Sequence, residues 1–312
     1  MSARVLPDHL QKIVEEELGE VPSRVGEDIR AIREWLEKQP HIIARTDDQT
    51  ILLFLRGCKF RLQTVKEKME EYYALRSLIT DHCVDKDPMS EDMQKVLNSP
   101  GYFTALRVVI PCPVNEHGPQ LFIVRTNKGD YGKLSVEEIL KTGLTIFDII
   151  LRDVDHMVMG FHCIIDLEDF EYGYLTQLTP FVIKTLIRGL QNAYPIRLKG
   201  YIVLNAPSAC VTLFETVKPL LFQKIRDRIF FCNKSDLSEL YKIVRRDLLP
   251  KEYGGLSGTI ESIRAEWKGK IESNRDWIIE DAKYGIDESK RVNGCTRRRE
   301  DVDGSFRKLN LD

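Results

Sequence analysis

The sequence predicts an α/β protein in which a helical N-terminal region precedes a mainly parallel sheet flanked by helices. Up to about residue 98 the apolar residues recur at helical spacing. After Gly101, apolar runs rich in β-branched and aromatic residues alternate with helical stretches. These runs are nearly continuous, which is typical of strands buried on both faces. Strands that alternate with helices favour parallel neighbours.

The N-terminal region contains five predicted helices. Proline disfavours helix in the residue before it, so Pro40 ends the second helix. Thr46 and Gln49 have the spacing of a capping box and are expected to open the third helix, which carries Ile51 and Phe54. The predicted helices cover about residues 8–18, 23–38, 62–78 and 90–97, and the third opens at Thr46 and carries the apolar run to Leu55.

The second part contains four predicted strands and the clearest helices. Ser135 and Glu138 form a second capping-box pattern, and apolar residues then repeat at i, i+3, i+4 and i+7 as far as Val154. Pro180 starts another helix, and residues 260–284 read as one C-terminal helix. The predicted strands are 120–125, 161–167, 200–204 and 228–232, and the predicted units are 1–98, 99–256, 257–285 and a charged, mobile tail, 286–312.

Composition excludes several classes of protein. The chain has 312 residues, 46 basic and 48 acidic, and a formal net charge of -2, so any attraction to nucleic acid or another polyanion must be local. No run of about 18 apolar residues predicts a membrane span, and no apolar signal segment opens the chain. Seven cysteines without a CxxC pair indicate reduced thiols, and therefore a cytoplasmic protein.

Motifs of common enzymes are missing from the sequence. No GxGxxG follows a strand, and neither GxxxxGK[ST] nor GxSxG occurs. His156 and His162 lack partners at metal-ligand spacing, so no metal or other cofactor is expected. Acidic residues near strand ends could do acid–base work or could serve as caps and turns, and we favour caps and turns. They are Asp153, Asp155, Asp166, Glu168 and Asp169.

Residues 195–229 carry the most informative pattern. Arg197 and Lys199 enter a strand that leaves through Asn205-Ala206-Pro207, and a helix with an apolar face follows. That helix could be an ordinary crossover helix or a gate over a cavity. Lys224 and Arg228 come next. We call Arg197, Lys199, Lys224 and Arg228 the basic cluster; it could be a solvated face or an anion site.

Four segments resemble the CRAL-TRIO lipid-transfer family, in the branch that contains the α-tocopherol transfer protein, cellular retinaldehyde-binding protein and the clavesins. Each is weak alone, but their order and spacing agree with the family. The resemblance covers about residues 10–280. The segments are DDQTILLFLRGCKF at 47–60, FHCIIDLEDF at 161–170, YPIRLKGYIVLNAP at 194–207 and LLPKEYGG at 248–255.

The resemblance implies a helical domain packed on an α/β domain whose deep apolar cavity a mobile helix closes. It implies binding of one hydrophobic molecule, such as a tocopherol, retinoid, carotenoid or other lipid, with exchange at membranes and without catalysis. Positions that match the family's pocket are Tyr102, Val124, Ile139, Leu140, Gly143, Phe147, Phe161, Ile165, Tyr172, Leu186, Gly189, Leu190, Cys210, Leu213, Phe214, Val217 and Leu221.

The same resemblance assigns the basic cluster to a phosphoinositide head group. A fifth family arginine is replaced here by Cys58, and Lys59 follows it. We therefore expect a cytoplasmic carrier, peripheral at anionic membranes, that takes a hydrophobic ligand and no nucleic acid. Cys210 is expected to pack in the interior and not to act as a nucleophile. The alternatives are a phosphoinositide-sensing adaptor that moves no cargo, and an enzyme that uses the carboxylates.

Overall fold

A computed structural model describes residues 6–80, 86–98, 107–108, 120–126, 131–152 and 158–291. Four predictions fall outside these ranges: the pocket position Tyr102, the carboxylates Asp153 and Asp155, the histidine His156, and the tail from residue 292 onward.

The N-terminal region is helical, as predicted. Its helices are α1 (Asp8–Leu18), α2 (Val25–Glu37), α3 (Asp48–Gly57), α4 (Leu62–Thr80) and α5 (Glu91–Asn98). Between α2 and α3, the two-residue strand β1 (Ile42–Ile43) pairs antiparallel with β7 (Gly285–Ile286) near the other end of the chain. Pairs this short leave no periodic pattern in the sequence, so these strands were not predicted.

A five-stranded sheet forms the centre of the second part. Its order is β2 (Arg107–Val108), β3 (Gln120–Arg125), β4 (Phe161–Asp166), β5 (Leu198–Leu204) and β6 (Ile229–Cys232). The last four strands run parallel, as the continuous apolar runs predict, whereas β2 pairs antiparallel with β3. β3 has the predicted limits, and β5 begins two residues earlier than predicted.

Helices connect and cover these strands. The predicted capping box is present at the start of α6 (Val136–Leu151), and Thr179 caps α8 (Pro180–Arg188). α8 continues into the π-helical turn 189–193 before β5. The others are α7 (Tyr174–Gln177), α9 (Ser208–Val217), α10 (Gln223–Arg226), α11 (Ser238–Ile243), α12 (Ile260–Ser273) and α13 (Arg275–Asp281).

Two predictions about helix ends are wrong. The N-cap of α3 is Asp47, not Thr46: its carboxylate accepts from the Thr50 amide at 2.9 Å. A charged acceptor is favoured there because it also interacts with the helix dipole. The single helix predicted for 260–284 breaks at Asn274, whose side-chain amide donates to the Lys270 carbonyl at 2.7 Å. Such side-chain bonds compete with helix propagation.

A buried charge network joins the N-terminal region to the rest of the molecule. Arg76 on α4 donates to Asp148 on α6 at 2.5 Å and also to Asp281 on α13. Tyr72 donates to Asp148 at 3.0 Å, and Arg45 donates to Asp281 at 2.6 Å. Removing one partner from such a network leaves a buried charge uncompensated, so these contacts fix how the helices pack.

Candidate functional site

The two faces of the sheet are packed differently. The outer face lies under α11 and the residues around Tyr253, and its apolar residues on β3, β4 and β5 are all buried: Leu121, Ile123, Ile164, Ile202 and Leu204. The inner face lies under α6 and consists of Phe122, Val124, Phe161, Cys163 and Ile165. Here Val124 and Ile165, which pair across β3 and β4, retain accessible surface. The inner face is therefore less completely covered than the outer face.

Helix α6 shows the same asymmetry. Its polar side is buried against the N-terminal helices: Thr142 contacts Met93 at 3.3 Å, and Asp148 is held by Tyr72 and Arg76. Its apolar residues Ile139, Leu140 and Phe147 are only half-buried. Apolar side chains normally occupy the most buried face of a helix. Protein atoms therefore leave part of the surface of these three residues uncovered, whereas Ile146, Ile149, Ile150 and Leu151 of the same helix are buried.

Aromatic rings line the inner end of this space. The Phe147 ring lies 4.7 Å from Phe122, 6.0 Å from Phe161 and 5.9 Å from Tyr194, measured between centroids. Tyr194 also stacks edge-on against Tyr72 at 5.3 Å. Phe147 and Phe161 were both predicted as pocket residues, and the structure brings them into one aromatic cluster.

We call α9 the gate helix; none of its ten residues is buried. Its Phe214 ring lies 5.1 Å from Phe231 on the edge strand β6, and the Lys218 amine lies over the same ring at 5.8 Å. A 3-10 turn from Lys218 to Leu220, which contains Pro219, then ends the helical segment. The gate helix covers the sheet but makes few buried contacts with it, so its displacement exposes little additional core.

The structure brings some of the predicted pocket residues together and leaves others apart. One apolar cluster brings together Val124, Ile139, Phe147, Phe161, Ile165, Leu190, Phe214 and Leu221. Gly189 instead lies against Leu75 of α4. Leu186 and Tyr172 are 44% and 61% exposed. Half-buried positions outside that cluster are Leu140, Gly143, Cys210, Leu213 and Val217.

The basic cluster assembles at the amino ends of β5 and β6. These strands are parallel neighbours, so their first residues meet at one edge of the sheet. Arg228 donates to the Leu198 carbonyl, and its own carbonyl accepts from the Tyr201 amide at 2.7 Å. Burial lowers the pKa of Lys224, and the charges of Arg228, Lys59, Arg197 and Lys199 lower it further. The four cations therefore repel one another across a common space.

Lys59 lies beside the basic cluster. Its charge acts on both Lys199 and Lys224. Lys59 has a left-handed backbone with φ of 54° just after α3, and a Cβ on Gly57 would approach the Pro195 carbonyl oxygen within 2.5 Å. This close approach brings the end of α3 against the segment that enters β5. Cys58 is buried, and burial raises the pKa of its thiol to about 11.

Glu17 on α1 contacts the basic cluster and was missed by the sequence reasoning. Arg197 donates to the Glu17 carboxylate at 2.6 Å, and the Lys199 amine lies 3.8 Å from it. The bond from Arg197, and then the charge of Lys199, lower the pKa of Glu17, and burial opposes them. No local pattern signals this pair, because 180 positions separate the two residues. Glu17 occupies part of the space in which an anion would meet the cluster.

Asp166, a candidate acid–base residue, has a structural position. It is completely buried and accepts hydrogen bonds from Asn205 and Tyr253, both at 2.8 Å. Asn205 adopts φ of 55° and also accepts from the Lys234 amide. Asp166, Asn205 and Tyr253 belong to three of the four segments that carry the family resemblance. Those segments therefore meet in one network at the carboxyl ends of the strands.

The other polar candidates, His162 and Cys210, are poorly placed to act as a general acid or as a nucleophile. Burial, and then the charge of Lys199, lower the pKa of His162 to about 4, which leaves the imidazole neutral at neutral pH. Burial raises the pKa of the Cys210 thiol. Within the described ranges, no group of acidic, histidine or cysteine side chains could hold a metal ion, and no helix is long and apolar enough to cross a membrane.

Comparison with known proteins gives a consistent result. The sequence profile of the CRAL/TRIO domain matches residues 108–255, and that of the Pinta-like, UBA domain matches residues 21–93. Clavesin-1 of Xenopus laevis is 30% identical over 243 residues, which cover 77% of this chain and 70% of the relative. Human clavesin-2 is 28% identical over 262 residues, which cover 82% and 76%. A solved structure titled "Crystal structure of Sfh5" matches with a TM-score of 0.41 and 13% identity, covering 89% of this chain and all of the other.

Proposed function

Since this chain belongs to the CRAL-TRIO family, we propose that it binds one hydrophobic small molecule between the inner face of the sheet and the gate helix. One observation carries the proposal: apolar residues of α6 and of the inner face keep accessible surface, while the apolar residues of β3, β4 and β5 on the outer face are buried. Protein interiors are normally close-packed, and ligand pockets are lined mainly by apolar side chains. Apolar residues of α6 and of the sheet that keep accessible surface therefore support a ligand between them.

The proposed cargo is apolar and has few polar groups. The residues that would contact it include Val124, Ile139, Phe147, Ile165 and Leu190, none of which offers a hydrogen bond from its side chain. Walls of this kind select size and shape. A tocopherol, a retinoid, a carotenoid or another lipid would satisfy them, with desolvation contributing about 25 cal/mol per Å² of apolar area.

We also propose that exchange occurs at membranes that carry anionic lipid, with a phosphoinositide head group at the basic cluster. Leu220 and Phe222 are exposed just before Lys224 in the sequence, and Phe222 is 57% exposed. Apolar groups beside cations suit a membrane surface, where each cation contributes about 1 kcal/mol. A phosphate would relieve the repulsion that lowers the pKa of Lys224.

The gate helix links the two proposed sites. It begins after β5, whose amino end carries Arg197 and Lys199, and it ends just before Lys224. If the head group prefers the arrangement in which the gate is displaced, its binding favours release of the cargo by that difference in affinity. The absence of buried residues on the gate helix supports a low cost of displacement.

We propose that the chain is a carrier without catalytic activity, cytoplasmic and peripheral at membranes. Asp166 supports this view, because both of its carboxylate oxygens already accept hydrogen bonds. For the organisation of the chain, we propose units at 1–98, 99–256 and 257–285. The network of Arg76, Asp148 and Asp281 spans all three, so we expect them to unfold together.

Neighbouring residues on β4 provide the test of the cargo site. Ile165 lies on the inner face, and Ile164 lies on the outer face and is fully buried. Ile165→Phe should weaken binding of a fluorescent lipid at least tenfold with little change in Tm. Ile164→Phe should leave lipid affinity near that of the wild type but destabilise the protein by about 1–3 kcal/mol, as overpacking does.

The proposed cargo site would be contradicted if Ile164→Phe lost lipid affinity while Ile165→Phe kept it. If the wild type takes up no lipid but binds phosphoinositide vesicles, the protein is instead a phosphoinositide-sensing adaptor that moves no cargo. Both measurements use the same purified proteins, with circular dichroism to confirm that each variant is folded.

A further inference from the structure

A cavity of about 520 Å³ lies between the N-terminal helices, the end of α6 and the C-terminal helices. None of the predicted cargo residues lines it. Its walls include Arg45, Arg152, Lys270, Asn274 and Trp277, together with the first turn of α3. This volume falls within the range of small-molecule sites. The lining is polar and charged, with three cations and three carboxylates, unlike the inner face of the sheet.

The acidic groups in its wall already have partners. Asp148 and Asp281 both accept from the buried Arg76. Asp47 accepts from the amide and hydroxyl of Thr50 at 2.9 and 2.8 Å, in the first turn of its own helix. Asp148 and Asp281 therefore share their charge with Arg76, and Asp281 also pairs with Arg45. Among the residues that the structure describes, none of the three carboxylates forms an ion pair with Arg152 or Lys270.

The cations keep unused hydrogen-bonding capacity. Arg45 donates to Asp281 through Nε, but its Nη2 is buried without a partner. Arg152 donates to the Asn274 side-chain oxygen at 2.5 Å, and no ion pair to it occurs in the described part of the chain. Lys270 is exposed, and its amine lies 4.3 Å from the centre of the Trp267 ring.

Trp277 holds two of these cations together. The Arg45 and Arg152 guanidinium groups lie 5.0 and 4.5 Å from the centre of its ring. Burial lowers the pKa of Arg152, and the charge of Arg45 lowers it further. Two like charges on one aromatic ring, of which Arg152 has no ion pair in the described part of the chain, favour an anion that can bond to both.

We propose that this cavity binds a phosphorylated small molecule whose phosphate groups lie between Arg45 and Arg152, with Lys270 contacting its far end. Arginine suits this role because its planar fork donates two parallel hydrogen bonds to phosphate. The site is separate from the cargo space and from the basic cluster, so it stands or falls independently of the proposed lipid exchange. Because its walls come from three parts of the chain, occupancy stabilises their packing.

The test titrates the full-length protein with inorganic phosphate, with fructose 1,6-bisphosphate and with phosphoinositide vesicles. Tryptophan emission and Tm are followed. The bisphosphate should raise Tm with concentration and should change the emission of Trp277, and this change should be lost in Trp277→Phe. Arg152→Gln should weaken bisphosphate binding about tenfold or more, the effect of losing a charge-assisted hydrogen bond. Lys283→Gln, which removes an exposed cation outside the cavity, should bind as the wild type does.

Comparing the three titrations also identifies whether the phosphate belongs to a soluble molecule or to a lipid head group. A Trp277-dependent response to the soluble bisphosphate supports a metabolite, and the same response to vesicles alone supports a lipid head group. The proposal is overturned if no probe gives a Trp277-dependent response at millimolar concentration, or if Arg152→Gln and Lys283→Gln bind equally well.

Discussion

Replacing Glu17 by glutamine should strengthen binding to phosphoinositide vesicles. The carboxylate accepts from Arg197 at 2.6 Å and lies 3.8 Å from the Lys199 amine, so a head group must displace or share it. Glutamine keeps the shape and can still accept a hydrogen bond, but it removes the negative charge. Arg197 and Lys199 then meet the phosphate without a competing anion.

The expected gain in vesicle affinity can be estimated from the exposed fraction of the Glu17 side chain. The Glu17 side chain is 51% exposed, and an ion pair of that kind contributes about 0.2–1 kcal/mol. At about 1.4 kcal/mol per tenfold change, affinity should rise about 1.4-fold to fivefold. The gain should shrink as salt is raised, because the Debye length is about 8 Å at physiological ionic strength.

Stability should change in the opposite direction. The pKa of Glu17 is lowered by Arg197, so its contribution to folding is present above the unfolded pKa and is lost as pH falls through the folded pKa. Glu17→Gln should therefore be slightly less stable at pH 7 while binding vesicles better. A variant that lost both stability and vesicle binding would indicate that Glu17 supports the cluster and does not compete with the head group.

Vesicle co-sedimentation at several phosphoinositide fractions measures the effect. Glu16→Gln is the matched control, because it removes the same charge from the same helix, at an exposed position whose ion pair in the described ranges is with Lys12 at 3.8 Å. Equal gains for the two variants would mean that only net charge matters. The assignment of Arg197 and Lys199 to the head-group site would then be refuted.

Three further variants test other parts of the structure. Arg76→Met should lower the free energy of unfolding by about 3–5 kcal/mol in a denaturant titration, because Asp148 and Asp281 lose their shared partner; a loss below about 1 kcal/mol would mean that the network is dispensable. His162 has a pKa lowered to about 4, so the unfolded chain binds a proton that the folded chain does not, and stability should fall as pH decreases from about 6.5 to 4. His162→Gln should flatten that slope in unfolding curves, and an unchanged slope would assign it to other groups. Phe222→Asp should slow lipid transfer between vesicles and leave binding in solution intact, whereas Leu256→Asp, at an exposed site on another part of the surface, should transfer normally; equal slowing would argue against a membrane contact at Phe222.

Local patterns predicted much of this fold. The capping box at Ser135 and Glu138 and the limits of β3 were read correctly, because each depends on residues close in sequence. Buried parallel strands also leave a continuous apolar run that needs no partner to be recognised. The basic cluster could be predicted as a group, since parallel neighbours bring their first residues to one edge.

Long-range contacts could not be predicted in the same way. Arg76 meets Asp281 across 205 positions and Arg197 meets Glu17 across 180, and in the sequence these are ordinary charged residues among many. The buried polar side of α6 was equally hidden, because its threonines and Asp148 are satisfied by tertiary partners that periodicity does not show. The break at Asn274 depends on a side-chain bond that competes with the helix.

The most direct test of the central claim is lipid uptake from a mixed vesicle population. The protein is incubated with vesicles that contain many lipid classes, re-isolated by size exclusion and extracted for mass spectrometry. The proposed function predicts about one hydrophobic molecule per chain in the wild type, and much less in Ile165→Phe. Wild-type protein that carries no more lipid than Ile165→Phe, while both remain folded, would contradict it.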